Sequence, residues 1–434
     1  MERRLTTLLL VLGLIAVPAA ALRAFCVGNS CGTGEERTGS VPFCSLPPDV
    51  RDLVTAGFYE GRSPDVLGVT GGTAVTTDLR DLDVAWPSIG TVDDRVPLVF
   101  LGDGIKAATL PDDAVLDQVA PTIEPLLGIE RPFPEVRSGS ALPGVGSEGP
   151  VPLVVLVVWK GVGIPELEAE PTAWPFLETA SADGLGGDAR PGSWPLDPAA
   201  ILTTIGTGGL PSQHGIVGTT LRGDRGPVDA FRPGSPGTVI ATLGDDLDEA
   251  TAGEALVGLV AADPSDRGLI GGTWYGADDD DLVVIEHRRP ARQVRAFLER
   301  GWGADGPSDL LGLTVRGSVA DMDRQTRAVF ELVTTAVPDA VVVVTSTGSL
   351  ATPGDALDAV TVAERIDETL PADEPVIAAP GSGGFFLDDD AALDQGVTTQ
   401  QVADAMAAQV TDDLTTPLFD DAFPSFTVRF GQYC

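Results

Sequence analysis

The sequence of 434 residues predicts an α/β protein built on a mostly parallel sheet. Three observations carry this. Val151-Pro152-Leu153-Val154-Val155-Leu156-Val157-Val158 and Ala340-Val341-Val342-Val343-Val344 are continuous apolar runs of strand length, the pattern of central parallel strands covered on both faces. Around them, helical spacing at 172–180, 199–205, 240–246 and 322–336 makes helices and strands alternate. Hydrophobic residues make up 43% of the chain and charged ones 21%, too apolar for a disordered polymer and too evenly mixed for a multi-pass membrane protein.

In chain order, the first element is an address. Arg3 and Arg4 precede an uncharged run over 5–22, which turns small at Pro18-Ala19-Ala20-Ala21 and ends at Arg23. Residues 1–24 are therefore expected to be a signal peptide or an uncleaved signal anchor. Either places the body outside the cytoplasm, and membrane contact is foreseen only through this segment if it is retained. Residues 25–60, rich in Gly, Pro and Cys, read as an irregular strap. The four cysteines, Cys26, Cys31, Cys44 and Cys434, include no CxxC pair and fit two disulfides with three connectivities open. Cys26 with Cys31 would close a small loop, while Cys44 with Cys434 would tie the C-terminus to the start of the mature chain.

Within 61–136, Val96-Pro97-Leu98-Val99-Phe100-Leu101 closed by Gly102-Asp103-Gly104 reads as a buried strand and turn. Residues 112–129 then show helical spacing that stops at Gly128. Residues 137–150 form a linker rich in Gly, Ser and Pro, and 151–434 the main core. In a parallel sheet, ligands bind at the carboxyl ends of strands, so chemistry is expected just after Val158 and Val344. The acidic runs 278–281 and 388–390 read as solvated loops, since neither has the alternating ligands of a calcium loop.

With 27 Lys and Arg against 64 Asp and Glu, the net charge is −37, which repels phosphate backbones. Nucleic acid is not an expected partner. Lys106 and Lys160 are the only lysines, a bias that fits either GC-rich coding or a high-salt surface.

Thr207-Gly208-Gly209-Leu210-Pro211-Ser212-Gln213-His214-Gly215-Ile216, after a Pro-rich turn and a helix, resembles the TG-x-x-P-x-x-HGI stretch of the type I phosphodiesterase and nucleotide pyrophosphatase family, within the alkaline phosphatase superfamily. Lys160-Gly161 resembles the end of that family's strand closing in Asp-Gly. Val343-Val344-Thr345-Ser346-Thr347-Gly348 is similar to its strand closing in Thr-Ser-Asp-His-Gly. The resemblance covers 151 to about 410 and implies an alkaline-phosphatase-like three-layer sandwich. Residues 96–105 and 119–129 are similar to the strand and the helix beginning "APT" that close the family's sheet near its C-terminus. Their early position here implies a circular permutation, with 137–150 joining the ancestral termini.

That superfamily displaces at phosphorus or sulfur with two divalent cations about 4 Å apart. Carried over residue by residue, its first aspartate ligand falls on Lys160, its nucleophile on Pro198, and its Asp-His pair on Thr347 and Gly348. Its two-metal site needs three histidine ligands, whereas this chain has only His214 and His287. His214 matches a family position that is not a ligand and is expected to hydrogen-bond a turn. No metal or other cofactor is expected. Lys160 either satisfies acceptors near the lost cation or snorkels to solvent. Asp197, Thr345 and His214 line the candidate cleft, Asp197 as a helix N-terminal residue.

The expected function is thus that of a catalytically degenerate phosphodiesterase-like protein of the cell envelope, binding a small anion or another exported protein. The alternative is an active phosphoric ester hydrolase with a rearranged site. Asp93, Asp94, Asp103 and Asp197 would then hold a divalent metal such as zinc, manganese, magnesium or calcium. A third reading makes the acidic surface itself a cation-buffering coat.

Overall fold

Leu153–Trp159 is buried at all seven residues, so both of its faces must be covered. In the computed structural model it lies inside an eight-stranded sheet. The strands, in chain order, are β1 (Val96–Gly102), β2 (Ala108–Thr109), β3 (Leu153–Trp159), β4 (Leu185–Ala189), β5 (Val257–Ala261), β6 (Leu282–Ile285), β7 (Asp309–Val315) and β8 (Val341–Ser346). Their spatial order is β6-β5-β7-β3-β8-β1-β4-β2. The first five in that order are mutually parallel, and Val155 of β3 sits between Leu311 and Val342. β1 alone runs against its neighbours β8 and β4, while β2 is parallel to β4.

The structure describes residues 43–70, 74–78, 83–86, 94–146, 149–271, 274–275, 281–286, 288–304, 306–349, 356–411 and 416–434. The expected export segment, Cys26, Cys31, Asp93, His287 and residues 278–280 lie outside them.

Helices cover both faces of the sheet. Val154, Leu156 and Val158 share one core with Ile201, Leu202 and Ile205 of the helix Pro198–Thr207. Val155, Val157 and Trp159 share the other with Leu177 of Pro175–Asp183 and with Met322, Val329 and Val333 of Val319–Ala336. The α/β alternation and the mostly parallel sheet therefore stand.

Several expectations are corrected. The segment containing β1 does not close the sheet; β1 is interior, between β8 and β4. The helix expected over 112–129 is broken into a 3-10 turn Leu116–Gln118, one α turn Val119–Ile123 and a second 3-10 turn Glu124–Leu126. Pro121 and Pro125 lack the N–H that a continuous helix needs there. The strap expected over 25–60 contains a ten-residue helix, Pro48–Gly57, started by proline at its first position. The acidic run at 388–390 is no loop. Asp388 caps the helix Asp389–Gln395 by accepting the Ala391 N–H, and the next two aspartates suit the positive end of the helix dipole. Asp388–Asp390 are nonetheless exposed, whereas Asp281 is not solvated, because it pairs with Arg267 at 2.7 Å.

Residues early and late in the chain share a second, antiparallel sheet of four strands: Ile377–Gly381, Gly384–Leu387, Val66–Thr70 and Phe419–Pro424. Its core holds Phe385, Phe419 and Trp86, with the helices Ala359–Thr369 and Thr399–Ala407 packed on it. Cys44 and Cys434 form a disulfide with a Cα–Cα distance of 5.3 Å. Phe43 meets Phe423 beside it at 5.2 Å between ring centroids. Among the described residues no helix is long and apolar enough to cross a membrane.

Candidate functional site

Alternation along β3 turns Val154, Leu156 and Val158 toward the helix Pro198–Thr207, and Lys160 continues that face. Its ammonium does not reach solvent. Nζ lies 2.6 Å from Asp266 Oδ1, and the two side chains are 3% and 0% exposed. Asp266 sits in the 3-10 turn Pro264–Leu269 after β5. Its other oxygen accepts the Thr314 hydroxyl at 2.5 Å and the Asp263 N–H at 2.9 Å. The snorkelling reading of Lys160 is thus replaced by a closed buried network, in which a cation and a carboxylate neutralise each other.

The other carried-over positions gather at the same end of the sheet. Thr347 donates its N–H to the Trp159 carbonyl at 2.9 Å and accepts the Gly161 N–H on Oγ1 at 3.1 Å. Gly348 has φ +90°, and a Cβ there would meet Leu196 Cδ1 at 2.9 Å, so both conformation and space call for glycine. Leu196 leads into Asp197, the N-cap of Pro198–Thr207. Its Oδ1 accepts the Ala199 N–H and the Thr219 hydroxyl, both at 2.9 Å, and its Oδ2 accepts the Ser382 hydroxyl at 2.5 Å. Pro198 starts the helix and has no hydroxyl to offer. Thr345 and Ser346 point to opposite faces of β8, each with a buried hydroxyl that has no partner among the described residues. The sequence reading missed Ser346. Beside Ser382, a cleft is lined by Val54, Phe58, Leu67, Trp194 and Phe423.

His214 does hold a turn. Nδ1 accepts the Ile216 N–H at 3.1 Å, which leaves the proton on Nε2, 3.1 Å from the Thr204 hydroxyl. Burial, followed by the charge of Arg62, pushes its pKa down to about 3. The ring is therefore neutral across the physiological range.

The linker over 137–150 is docked against the same turn. Gly139 donates its N–H to the Gly208 carbonyl at 3.0 Å, and the Ser138 hydroxyl reaches Gln213 Oε1 at 2.9 Å. Arg131 and Arg137 both donate to the Thr207 carbonyl, at 2.9 and 3.0 Å. They also converge on Asp246 Oδ2 at 2.6 and 3.1 Å. Asp246 Oδ1 accepts the Tyr275 hydroxyl at 2.6 Å; burial, then this carboxylate, holds the phenol well above its usual pKa. Nothing in the spacing of Asp266 or Asp246 marks them among 64 acidic residues.

Of the aspartates proposed for a rearranged metal site, Asp94 pairs with Arg190 at 3.2 Å, Asp103 is exposed after β1, and Asp197 is saturated as above. Among the described residues no three His, Cys, Asp or Glu side chains are grouped to hold a metal ion. The residues present at the carried-over positions do not fit a two-cation site: an ammonium stands at the first, a ring without a hydroxyl at the second, and a threonine and a glycine in place of the Asp-His pair.

No family model matches the chain, and no curated protein or solved structure matches it either.

Proposed function

We propose that this is an exported, circularly permuted relative of the alkaline phosphatase superfamily that binds or scaffolds at the cell envelope and does not catalyse. One observation carries the reading. The Lys160–Asp266 pair at the carboxyl end of the sheet is internally neutralised, where the resemblance puts a metal ligand. The docking of the linker on the Thr207–His214 turn supports the permutation, since a joined pair of ancestral termini would need such a seat. The Cys44–Cys434 bond and the apolar run at 5–22 support export. Because the charge of Lys160 is already paired, a small anion has little to attract it there, and another exported protein is the favoured partner.

The test is metal content and phosphodiesterase activity on one sample of the purified chain. Elemental analysis follows dialysis, then hydrolysis of a chromogenic phosphodiester with added zinc, manganese or magnesium. No stoichiometric metal and no turnover is the expected result. Bound metal, with turnover abolished by a chelator, would overturn the reading in favour of a rearranged hydrolase.

A further inference from the structure

Among the described residues, four of the large apolar side chains that are exposed come from two segments that meet at Asp246: Phe133 and Val136 from one, Trp274 and Tyr275 from the other. Phe133 is 69% exposed, Trp274 42% and Tyr275 39%. A buried guanidinium ties the segments together. Arg137 Nη1 donates to the Pro132 and Phe133 carbonyls at 2.9 and 3.2 Å, and its Nη2 to Asp246 Oδ2 at 3.1 Å, while Asp246 Oδ1 accepts the Tyr275 hydroxyl at 2.6 Å. The hydrogen-bonded path from the Phe133 backbone to the Tyr275 phenol is therefore one guanidinium and one carboxylate long. Phe133 also has φ +51°, a left-handed conformation that costs energy in any residue but glycine. Strain of this kind is kept where the surroundings enforce it, and it clusters at binding sites. Exposed aromatics held on a rigid polar frame are the usual anchors of protein interfaces.

The charge around these rings is the second observation. Arg131 and Arg137 are both buried, and all their guanidinium nitrogens donate to Asp246 or to the carbonyls of Pro132, Phe133, Thr207 and Ala241. Neither has a donor left for a ligand. The carboxylates beside the rings are the opposite case. Glu130 and Glu135 flank Arg131 and Phe133 in the chain, and Glu249 lies three residues after Asp246 on the helix Leu243–Thr251. All three are exposed, and none forms a salt bridge with a described residue. Glu249 is near enough for its charge to act on the Tyr275 phenol. Since the face of an aromatic ring is itself negative, rings and carboxylates here favour the same ligand, a cation.

We propose that Phe133, Trp274 and Tyr275 form a docking surface for a basic segment of a partner protein, whose Arg or Lys side chains lie on the rings and against Glu130, Glu135 and Glu249. This surface gives a place and a chemistry to the protein partner favoured above, and it rests on that reading. An anionic membrane, or a second copy of a chain of net charge −37, would bring more negative charge to carboxylates that lack a counter-ion, so neither fits the surface. The rings supply what the acidic coat alone does not, because a coat attracts any cation while a ring face is a fixed site.

The probe is a fluorescently labelled eight-residue peptide alternating Arg and Ser, titrated with the full chain at about 0.15 M salt, where long-range attraction to the acidic coat is screened. A peptide with Gln in place of Arg is the control. Binding of the Arg peptide alone is expected. The double variant Phe133→Ser, Trp274→Ser changes no charge and should weaken binding at least about tenfold. Glu135→Gln with Glu249→Gln touches no ring and no buried group, covers the case in which the ring variant does not fold, and should lose at least about threefold. Glu364→Gln with Glu368→Gln, exposed on the helix Ala359–Thr369 of the other sheet, removes the same charge elsewhere and should leave binding unchanged. No binding of the Arg peptide would overturn the proposal, as would equal losses from the two pairs of Glu→Gln variants or binding that survives Phe133→Ser, Trp274→Ser. Self-association, or binding to phosphatidylglycerol vesicles, that the ring variant abolishes would overturn it in favour of those occupants. Metal-dependent turnover in the phosphodiesterase assay would overturn the non-catalytic reading and leave these titrations unaffected, so the two failures are distinguishable.

Discussion

Replacing Lys160 with methionine isolates the feature on which the functional reading rests. Methionine keeps most of the apolar stem, so the cavity term is small and the loss is electrostatic. It leaves Asp266 Oδ1 without its donor at 2.6 Å, in a side chain with no exposure, while Oδ2 keeps Thr314 and Asp263. Removing one member of such a buried pair costs about 3–5 kcal/mol, a large part of a total stability of about 5–15 kcal/mol. Urea unfolding followed by tryptophan fluorescence should show the midpoint falling with the slope unchanged. The double variant Lys160→Met, Asp266→Asn should be more stable than the sum of its singles by about 1–3 kcal/mol. The penalty should be nearly the same in low and high salt, because the pair is shielded from mobile ions. A Lys160→Met variant within about 0.5 kcal/mol of wild type, with an additive double, would place the ammonium in solvent. Asp266 would then be free to hold something else, and the pseudoenzyme reading would lose its support.

Two further outcomes rest on the same geometry. Cys434→Ser should cost about 2–5 kcal/mol, since the bond closes a loop across 390 residues of sequence; packing of Gly431 and Phe423 on Phe43 keeps the tail near its place and favours the lower end. A melting temperature that does not change on reduction would refute this. His214 has a folded pKa of about 3 against an unfolded value near 6.5, so the unfolded chain binds the extra proton between them. The neutral ring's contribution is complete above pH 6.5 and is lost as pH falls toward 3, at up to about 1.4 kcal/mol per pH unit. His214→Asn should flatten that slope, and a difference between the two proteins that stays constant from pH 6.5 to 4 would sink the assignment.

What the sequence shows of this fold depends on whether a residue's fate is decided locally. β3 and β8 are legible because uninterrupted valine and leucine can only be buried. Asp197-Pro198 is legible as a helix start because the carboxylate caps and the ring fits the first turn. Over 112–129 the spacing misleads, because the two prolines veto a helix that the apolar positions suggest. Pairing of Val66–Thr70 with Phe419–Pro424 lies beyond local reading altogether, since no periodicity says which distant strand a strand will meet.

The site shows the sharpest version of this limit. Asp266 lies 106 residues from Lys160, and Asp246 lies 115 from Arg131, each one acid among 64. Searching such a chain by its carboxylates fails because nearly all of them can stay in water. Searching it by its cations works better: a positive charge that comes directly after a buried strand, as Lys160 comes after Trp159, must bring a carboxylate in with it. Lys160 obeys that rule, while Arg131 and Arg137 follow no strand but are buried against Asp246 all the same, so that the three cations mark the two buried aspartates around which the sheet's carboxyl end and the linker are organised.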